Sequence, residues 1–148
     1  MIRIGLISDT HGLLRPEALR FLRGADHIIH AGDIGAPEIL EQLKTLAPVT
    51  AVRGNNDRAR WAKKLPLDAV MEVGGVAIHV LHDLNEMRRP EGRVVITGHS
   101  HKPKVEERDG VLYVNPGSAG PRRFTLPVAA GELRISGAGV RARIKELL

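Results

Sequence analysis

Cysteine is absent from this chain, and that absence excludes a disulfide scaffold, a thiolate-held zinc and a cysteine nucleophile together. It fits a reducing compartment. Aromatic side chains are nearly as scarce, with two Phe, one Tyr and one Trp. Proteins that grip single-stranded nucleic acid combine a basic groove with aromatic platforms. The net charge of +5 and the pI of about 10.1 therefore read as an arginine-rich solvated surface, not a dedicated nucleic-acid surface. Basic residues are scattered, with small clusters at Arg58, Arg60, Lys63 and Lys64 and at Arg122 and Arg123. Positive potential of this kind draws anionic substrates toward a site. Long apolar runs are missing too. The opening segment MIRIGLISD is broken by Arg3 and Asp9, and no window approaches the ~18 apolar residues of a membrane span. The expectation is a soluble, cytoplasmic protein with no membrane partner.

What is present is material for a core. A chain of 148 residues, 43% of them hydrophobic, fits one domain spanning residues 1–148 and can bury most of its apolar surface unaided. In the first half, strand and helix signals alternate. Ile2–Ile7 is a nearly continuous apolar run that opens into Ser8-Asp9-Thr10-His11-Gly12, the pattern of a buried strand feeding a polar loop. A helix is predicted over Pro16–Leu22, with Pro16 in its first turn and Gly24 beyond its end. A strand follows over residues 26–30, a helix over 37–46 and a third strand over 49–53. This alternation implies parallel pairing through right-handed crossovers. The second half reads as hairpins: residues 70–73 and Val76–Leu81 about Gly74-Gly75, then 105 and 111–114 about Asp109-Gly110. A buried strand over 94–97 lies between them, and short strands continue toward the C-terminus. The predicted class is α/β: a two-sheet β-sandwich flanked by helices.

Polar residues of few kinds collect where these strands end. Asp9 and His11 follow the first strand, Asp33 the second, Asn55 the third, His82 a later one, and His99 and His101 the strand over 94–97. Ligands bind at the carboxyl ends of parallel strands, so segments distant in sequence can converge there. Imidazoles, carboxylates and an amide oxygen suit manganese, iron or zinc and not copper(I). Asp9-x-His11 and His99-x-His101 would each send alternate residues to one side of an extended segment. Gly32, Gly54 and Gly98 precede Asp33, Asn55 and His99, where sharp turns and close backbone approach are needed. Gly-Asp and Gly-Asn are ordinary turn dipeptides on their own; their order and their placement at strand ends carry the inference.

As an ordered set, Asp9-x-His11, Gly32-Asp33, Gly54-Asn55-x-Asp57, His82 and Gly98-His99-x-His101 resemble the motifs of the calcineurin-like metallophosphoesterases. With Asn115-Pro116-Gly117-Ser118 and the short length, the chain resembles the small prokaryotic phosphodiesterase branch. The resemblance runs from Ile2 to about Ser118. It implies a four-layer fold built on the two-sheet sandwich and a binuclear centre of two divalent ions, manganese first, with iron, zinc, nickel or magnesium as alternatives. Asp9, His11 and His101 would hold one ion, Asn55, His82 and His99 the other, and Asp33 would bridge. Asp33, Asn55, Asn56 and His99 would be the catalytic residues, and a metal-bridging water or hydroxide would attack a small phosphate ester, a diester first. A homodimer or homotetramer is compatible with the branch.

Two positions depart from the pattern. Asn56 stands where many relatives carry a histidine thought to assist the leaving group, and Asp83 stands where the branch commonly has glycine. Of the remaining histidines, His79 reads as structural or surface, His27 as distant from the site, and His30 as a residue behind the ligands or a phosphate contact. The rival readings are a catalytically weak protein-interaction scaffold, like the retromer subunit that resembles this branch, and a small nuclease. Full occupancy of the seven ligand positions argues against the first. The lack of room for added DNA-binding segments argues against the second.

Overall fold

The computed structural model describes residues 1–137 and 139–148. Its first sheet is built from β1 (Ile2–Ile7), β2 (His27–His30), β3 (Val49–Ala51), β9 (Ala129–Ser136) and β10 (Gly139–Glu146), in the order β10-β9-β1-β2-β3. Its second sheet contains β4 (Asp68–Val73), β5 (Val76–Leu81), β6 (Val94–Ile96), β7 (Lys104–Arg108) and β8 (Val111–Asn115), in the order β4-β5-β6-β8-β7. Both sheets are mixed. β1, β2 and β3 run parallel, as do β5, β6 and β8, and antiparallel strands complete the edges.

Why β1 is apolar throughout follows from its position. It lies between β2 and β9 with both faces covered. Ile4 and Leu6 pack toward β5, β6 and β8 in the cluster between the sheets. Ile7 packs on the other face against α1 (Pro16–Leu22) and α2 (Pro37–Lys44). Both helices start at proline, carry a glutamate in the first turn and a basic residue in the last, as the helix dipole favours. Ala18 and Leu22 of α1, and Ile39, Leu40 and Leu43 of α2, are buried. Across the outer face of the second sheet the backbone N–H of Glu91 donates to His79 Nδ1.

The hairpin turns form as expected: Gly74 and Gly75, then Asp109 and Gly110, all take positive φ, as a two-residue primed turn requires. The C-terminal strands are longer than expected, eight residues each. They are hard to see in sequence because Glu132 interrupts the apolar pattern. In the fold Glu132 is buried and meets Arg3, Arg134 and Arg143 from three strand positions. No described helix is long and apolar enough to cross a membrane.

Candidate metal centre

The carboxyl ends of β1, β2, β3, β5 and β6 meet at one edge of the sandwich, and each is followed by a loop bearing a candidate ligand. The loops after β1 and β2 run side by side: the amides of Asp9, His11 and Gly12 donate to the carbonyls of Gly32, Asp33 and Ile34. The expectation of extended Asp-x-His and His-x-His segments is corrected here. Asp9, His11, Asp33, His99 and His101 all have positive φ. Left-handed kinks, not period-two alternation, turn these side chains inward. Such conformations cost roughly 1 kcal/mol or more each and cluster at functional sites.

The glycines in front of the ligands are needed for space. A Cβ on Gly54 would collide with the Asp33 carboxylate, and one on Gly98 would collide with the Ser8 hydroxyl and approach Asp9.

Asp9 lies at the bottom of the cleft, 0% exposed. Its Oδ1 is 3.4 Å from His101 Nε2, 3.7 Å from His11 Nε2 and 3.9 Å from His82 Nε2. Its Oδ2 accepts from the Ser8 hydroxyl at 2.7 Å and the His99 amide at 3.1 Å. Asp33 Oδ2 lies 3.7 Å from His11 Nε2 and 3.3 Å from His82 Nε2, so it faces both histidine groups. His99 Nδ1 is 3.2 Å from Asn55 Oδ1, and the His82 and His99 ring centres are 5.2 Å apart. The structure thus brings all seven sequence-derived residues into one cleft. Asp9 as well as Asp33 reaches both histidine groups.

Burial works to raise the Asp9 carboxyl, but the approach of His101 and His11, the His82 charge and the Ser8 hydroxyl outweigh it and hold the group below its usual range. Asp33 is lowered likewise: burial opposes the shift, while His82 and the Asn56 amide drive it. His11 is raised chiefly by Asp9, and His82 is raised by Asp33 and Asp9 against its own burial. The His82 Nδ1–H donates to the Ala31 carbonyl at 2.8 Å, which aims its Nε2 at the two carboxylates. Three buried side-chain atoms among the described residues lack a hydrogen bond: Asp9 Oδ1, His82 Nε2 and His101 Nδ1. All three are on candidate ligands, and Asp9 Oδ1 and His82 Nε2 face each other in the cleft at 3.9 Å. Buried polar atoms are normally satisfied, and anionic oxygen with imidazole nitrogen is a donor set that fits divalent cations.

Residues behind the ligands fix their positions. Asp57, given no role in the sequence reading, accepts N–H groups from Ile34, Gly35 and Gly54 at 2.9–3.2 Å and so ties the second loop to the third. Asn115 Nδ2 donates to the Gly98 carbonyl at 2.9 Å, and the Ser118 hydroxyl donates to the Asp9 carbonyl at 3.0 Å. The only signal for these two was the Asn-Pro-Gly-Ser motif. His30 is fully buried and contacts no open cleft: Gly32 N–H donates to its Nδ1, and its Nε2–H donates to Thr10 Oγ1, which donates to the Ile34 carbonyl. Asn56 is turned onto Asp33, its amide N–H on Oδ1 at 2.9 Å and its Nδ2 on Oδ2 at 3.0 Å. Asp83 caps the short helical turn Leu84–Glu86 by accepting from Asn85 N–H, and its Oδ2 faces His99 Nε2 at 3.8 Å. A second trio is formed by Asp68, His79 and Glu91, and its Asp68 lines the cleft beside Asn55 and His82. There both His79 nitrogens are occupied, by Asp68 and by the Glu91 amide. His27 bonds Thr50 on the neighbouring strand.

The family model for the calcineurin-like phosphoesterase superfamily domain matches residues 2–136. The chain belongs to that superfamily. A probable metallophosphoesterase of Methanothermobacter thermautotrophicus is 36% identical over 157 aligned positions, covering 95% of this chain and 90% of that protein. A solved archaeal phosphodiesterase superposes with a TM-score of 0.79 at 27% identity, covering 97% of this chain and 100% of that one. The Vps29 protein of Chaetomium thermophilum superposes with a TM-score of 0.85, covering 100% of this chain and 87% of that one. At 20% identity it speaks for the fold alone. The calcineurin-like assignment and the two-sheet sandwich thus agree with the reading of the sequence.

Proposed function

We propose that this protein is a metal-dependent phosphodiesterase. The observation that carries the reading is the pair of unsatisfied buried atoms Asp9 Oδ1 and His82 Nε2, 3.9 Å apart among seven converging donor residues. Asp9, His11 and His101 would hold one ion, Asn55, His82 and His99 a second, and Asp33 would bridge, with manganese as the first choice. Two divalent ions in such a set supply Lewis acidity toward a phosphoryl group and activate water as a nucleophile. In the hydrolysis, water adds its oxygen to phosphorus, the ester P–O bond breaks, and the departing oxygen takes up a proton. The protein's own contribution is positioning. Asn56 holds both oxygens of Asp33, the Ala31 carbonyl orients His82, and Ser8 with the His99 amide orients Asp9.

Asn56 has no acidic proton at neutral pH and is occupied by Asp33, so it is no general acid. The substrates should be esters with good leaving groups. Diesters are favoured over monoesters because a dianionic monoester gains most from cationic groups set against the phosphoryl oxygens themselves, and Arg53, Lys102, Lys104 and Arg108 instead line the clefts on either side of the centre. The similarity to an archaeal phosphodiesterase supports the same choice. The test is metal content together with kcat/KM for bis(p-nitrophenyl) phosphate and p-nitrophenyl phosphate, each relative to its uncatalysed rate. Chelation should abolish turnover, manganese should restore it, and Asp33→Ala should lower it about 10²-fold or more. Turnover that survives chelation overturns the metal reading. Preference for the monoester overturns the diester assignment.

A further inference from the structure

Two clefts flank the candidate metal centre, and their charges are opposite. One, of about 360 Å³, opens beside Asn55 and His82 and is lined by Arg53 together with three carboxylates, Asp68, Asp83 and Glu86. The other, of about 290 Å³, opens beside His99 and is lined by Lys102, Lys104 and Arg108, with Glu106 and Asp83 as its carboxylates. Asp83 is common to both and stands between them. We infer that the basic cleft binds an ester arm bearing an anionic group, so that the substrate is an unsymmetrical phosphodiester with one further negative charge on the arm at His99.

This inference rests on the phosphodiesterase reading and adds the class of substrate. A diester has two arms leaving the phosphorus, and the centre has a cleft on each side to receive them. A phosphate or carboxylate in the first cleft would meet three carboxylates and one guanidinium. In the second it would meet three cations and two carboxylates, Asp83 and Glu106, and Glu106 occupies some of the cations. That occupation is weak. Lys104 lies 2.8 Å and Arg108 3.7 Å from Glu106, and the two cationic side chains are 65% and 52% exposed. Exposed ion pairs contribute little, so an incoming anion can share these cations with Glu106. Arg108 is also positioned in advance, its guanidinium carbon 4.5 Å from the Tyr113 ring centre. A stacked guanidinium loses less freedom on binding an anion and offers it a flat fork of donors. The volume suits a short arm of a few carbons with one charged group, smaller than most ligand pockets.

The experiment compares two esters that share one leaving group, p-nitrophenyl 2-carboxyethyl phosphate and p-nitrophenyl propyl phosphate, on the metal-loaded full chain. The carboxylate ester should have kcat/KM about tenfold higher at low salt, chiefly through KM, and the ratio should shrink as sodium chloride screens the cleft. Lys104→Gln with Arg108→Gln should bring the ratio to about one, with thermal unfolding showing that the fold persists. A ratio near one in the unmodified protein overturns the inference and leaves the phosphodiesterase reading standing. So does a ratio that the double variant retains. No turnover of either ester by metal-loaded protein overturns both.

Discussion

Replacing Asp57 by asparagine exchanges one oxygen for an NH2 group at a position set behind the candidate ligands, yet the hydrogen bonds predict a large effect. The carboxylate is 4% exposed. Its Oδ1 accepts Ile34 N–H at 3.0 Å and Gly35 N–H at 3.2 Å, and its Oδ2 accepts Gly54 N–H at 2.9 Å and shares Ile34 N–H at 3.2 Å. An amide keeps one acceptor and turns an NH2 toward the remaining donor, whichever way it is placed. One buried N–H is then opposed and unsatisfied, at about 1–3 kcal/mol. The bonds that remain lose their charge assistance, roughly halving their strength. The expected loss is about 2–4 kcal/mol, read as a shift in the urea unfolding midpoint at constant slope. Because Asp57 ties Gly54, next to Asn55, against the loop of Asp33, divalent-ion affinity should fall about tenfold as well. A stability loss below ~1 kcal/mol with unchanged metal affinity would refute the view that this carboxylate holds the two loops together.

Two further outcomes are expected. Burial pushes the His30 imidazole from 6.5 down to about 4, so between those pH values the unfolded chain binds the proton more readily and stability falls as pH falls. At 1.36 kcal/mol per pH unit the loss reaches ~2.5 kcal/mol by pH 4.5, measurable by urea unfolding of chelated protein at pH 7 and 4.5. His30→Gln should flatten most of that slope; His27, lowered by burial, contributes with the same sign. His11 and His82 are shifted upward, so they add stability as pH falls from 7 through 6.5, opposite in sign to His30, and the comparison with His30→Gln removes that part. Asn56→Ala removes the 3.0 Å contact to Asp33 and should lower turnover of good and poor leaving groups by the same factor. A steeper dependence on leaving-group pKa in that variant would show that Asn56 touches the departing oxygen.

The parts of the fold legible in the sequence are those set by local backbone chemistry. Gly74-Gly75 and Asp109-Gly110 demand positive φ, and the hairpins form there. Pro16 and Pro37 open helices because their fixed φ suits a first turn. The second helix closes at Lys44 and the third strand at Ala51, short of the predicted residues 46 and 53, because ends depend on neighbours and not on propensity. What stayed hidden depends on contacts distant in the chain. Glu132 looks like a surface residue until Arg3 and Arg143 arrive beside it. Asp57 looks like a turn residue until the loop of Ile34 folds over it. The candidate ligands, which the fold brings together, were legible because chemistry limits which side chains can serve. Their left-handed backbone was not, since Asp and His are permitted but not required to adopt it.

The arrangement separates the residues that hold the fold from those that would hold metal. The candidate ligands carry the strain: five of them have positive φ, and three of their buried atoms lack partners. The residues just behind them are saturated. Asp57 accepts three backbone donors, Asn115 donates to both Gly98 and Ser100, and His30 joins Gly32 to Thr10. Those bonds offset the local cost of the kinks, so framework contacts, the charge-assisted bonds of Asp57 among them, hold the cleft in shape. A site held this way leaves lone pairs free for a cation and keeps the cost of ordering them out of the binding step. The glycines complete the logic. At Gly54 and Gly98 even a methyl group would enter the space of Asp33 or Ser8, so the smallest residue lets the ligand loops approach closely enough for the framework to lock them.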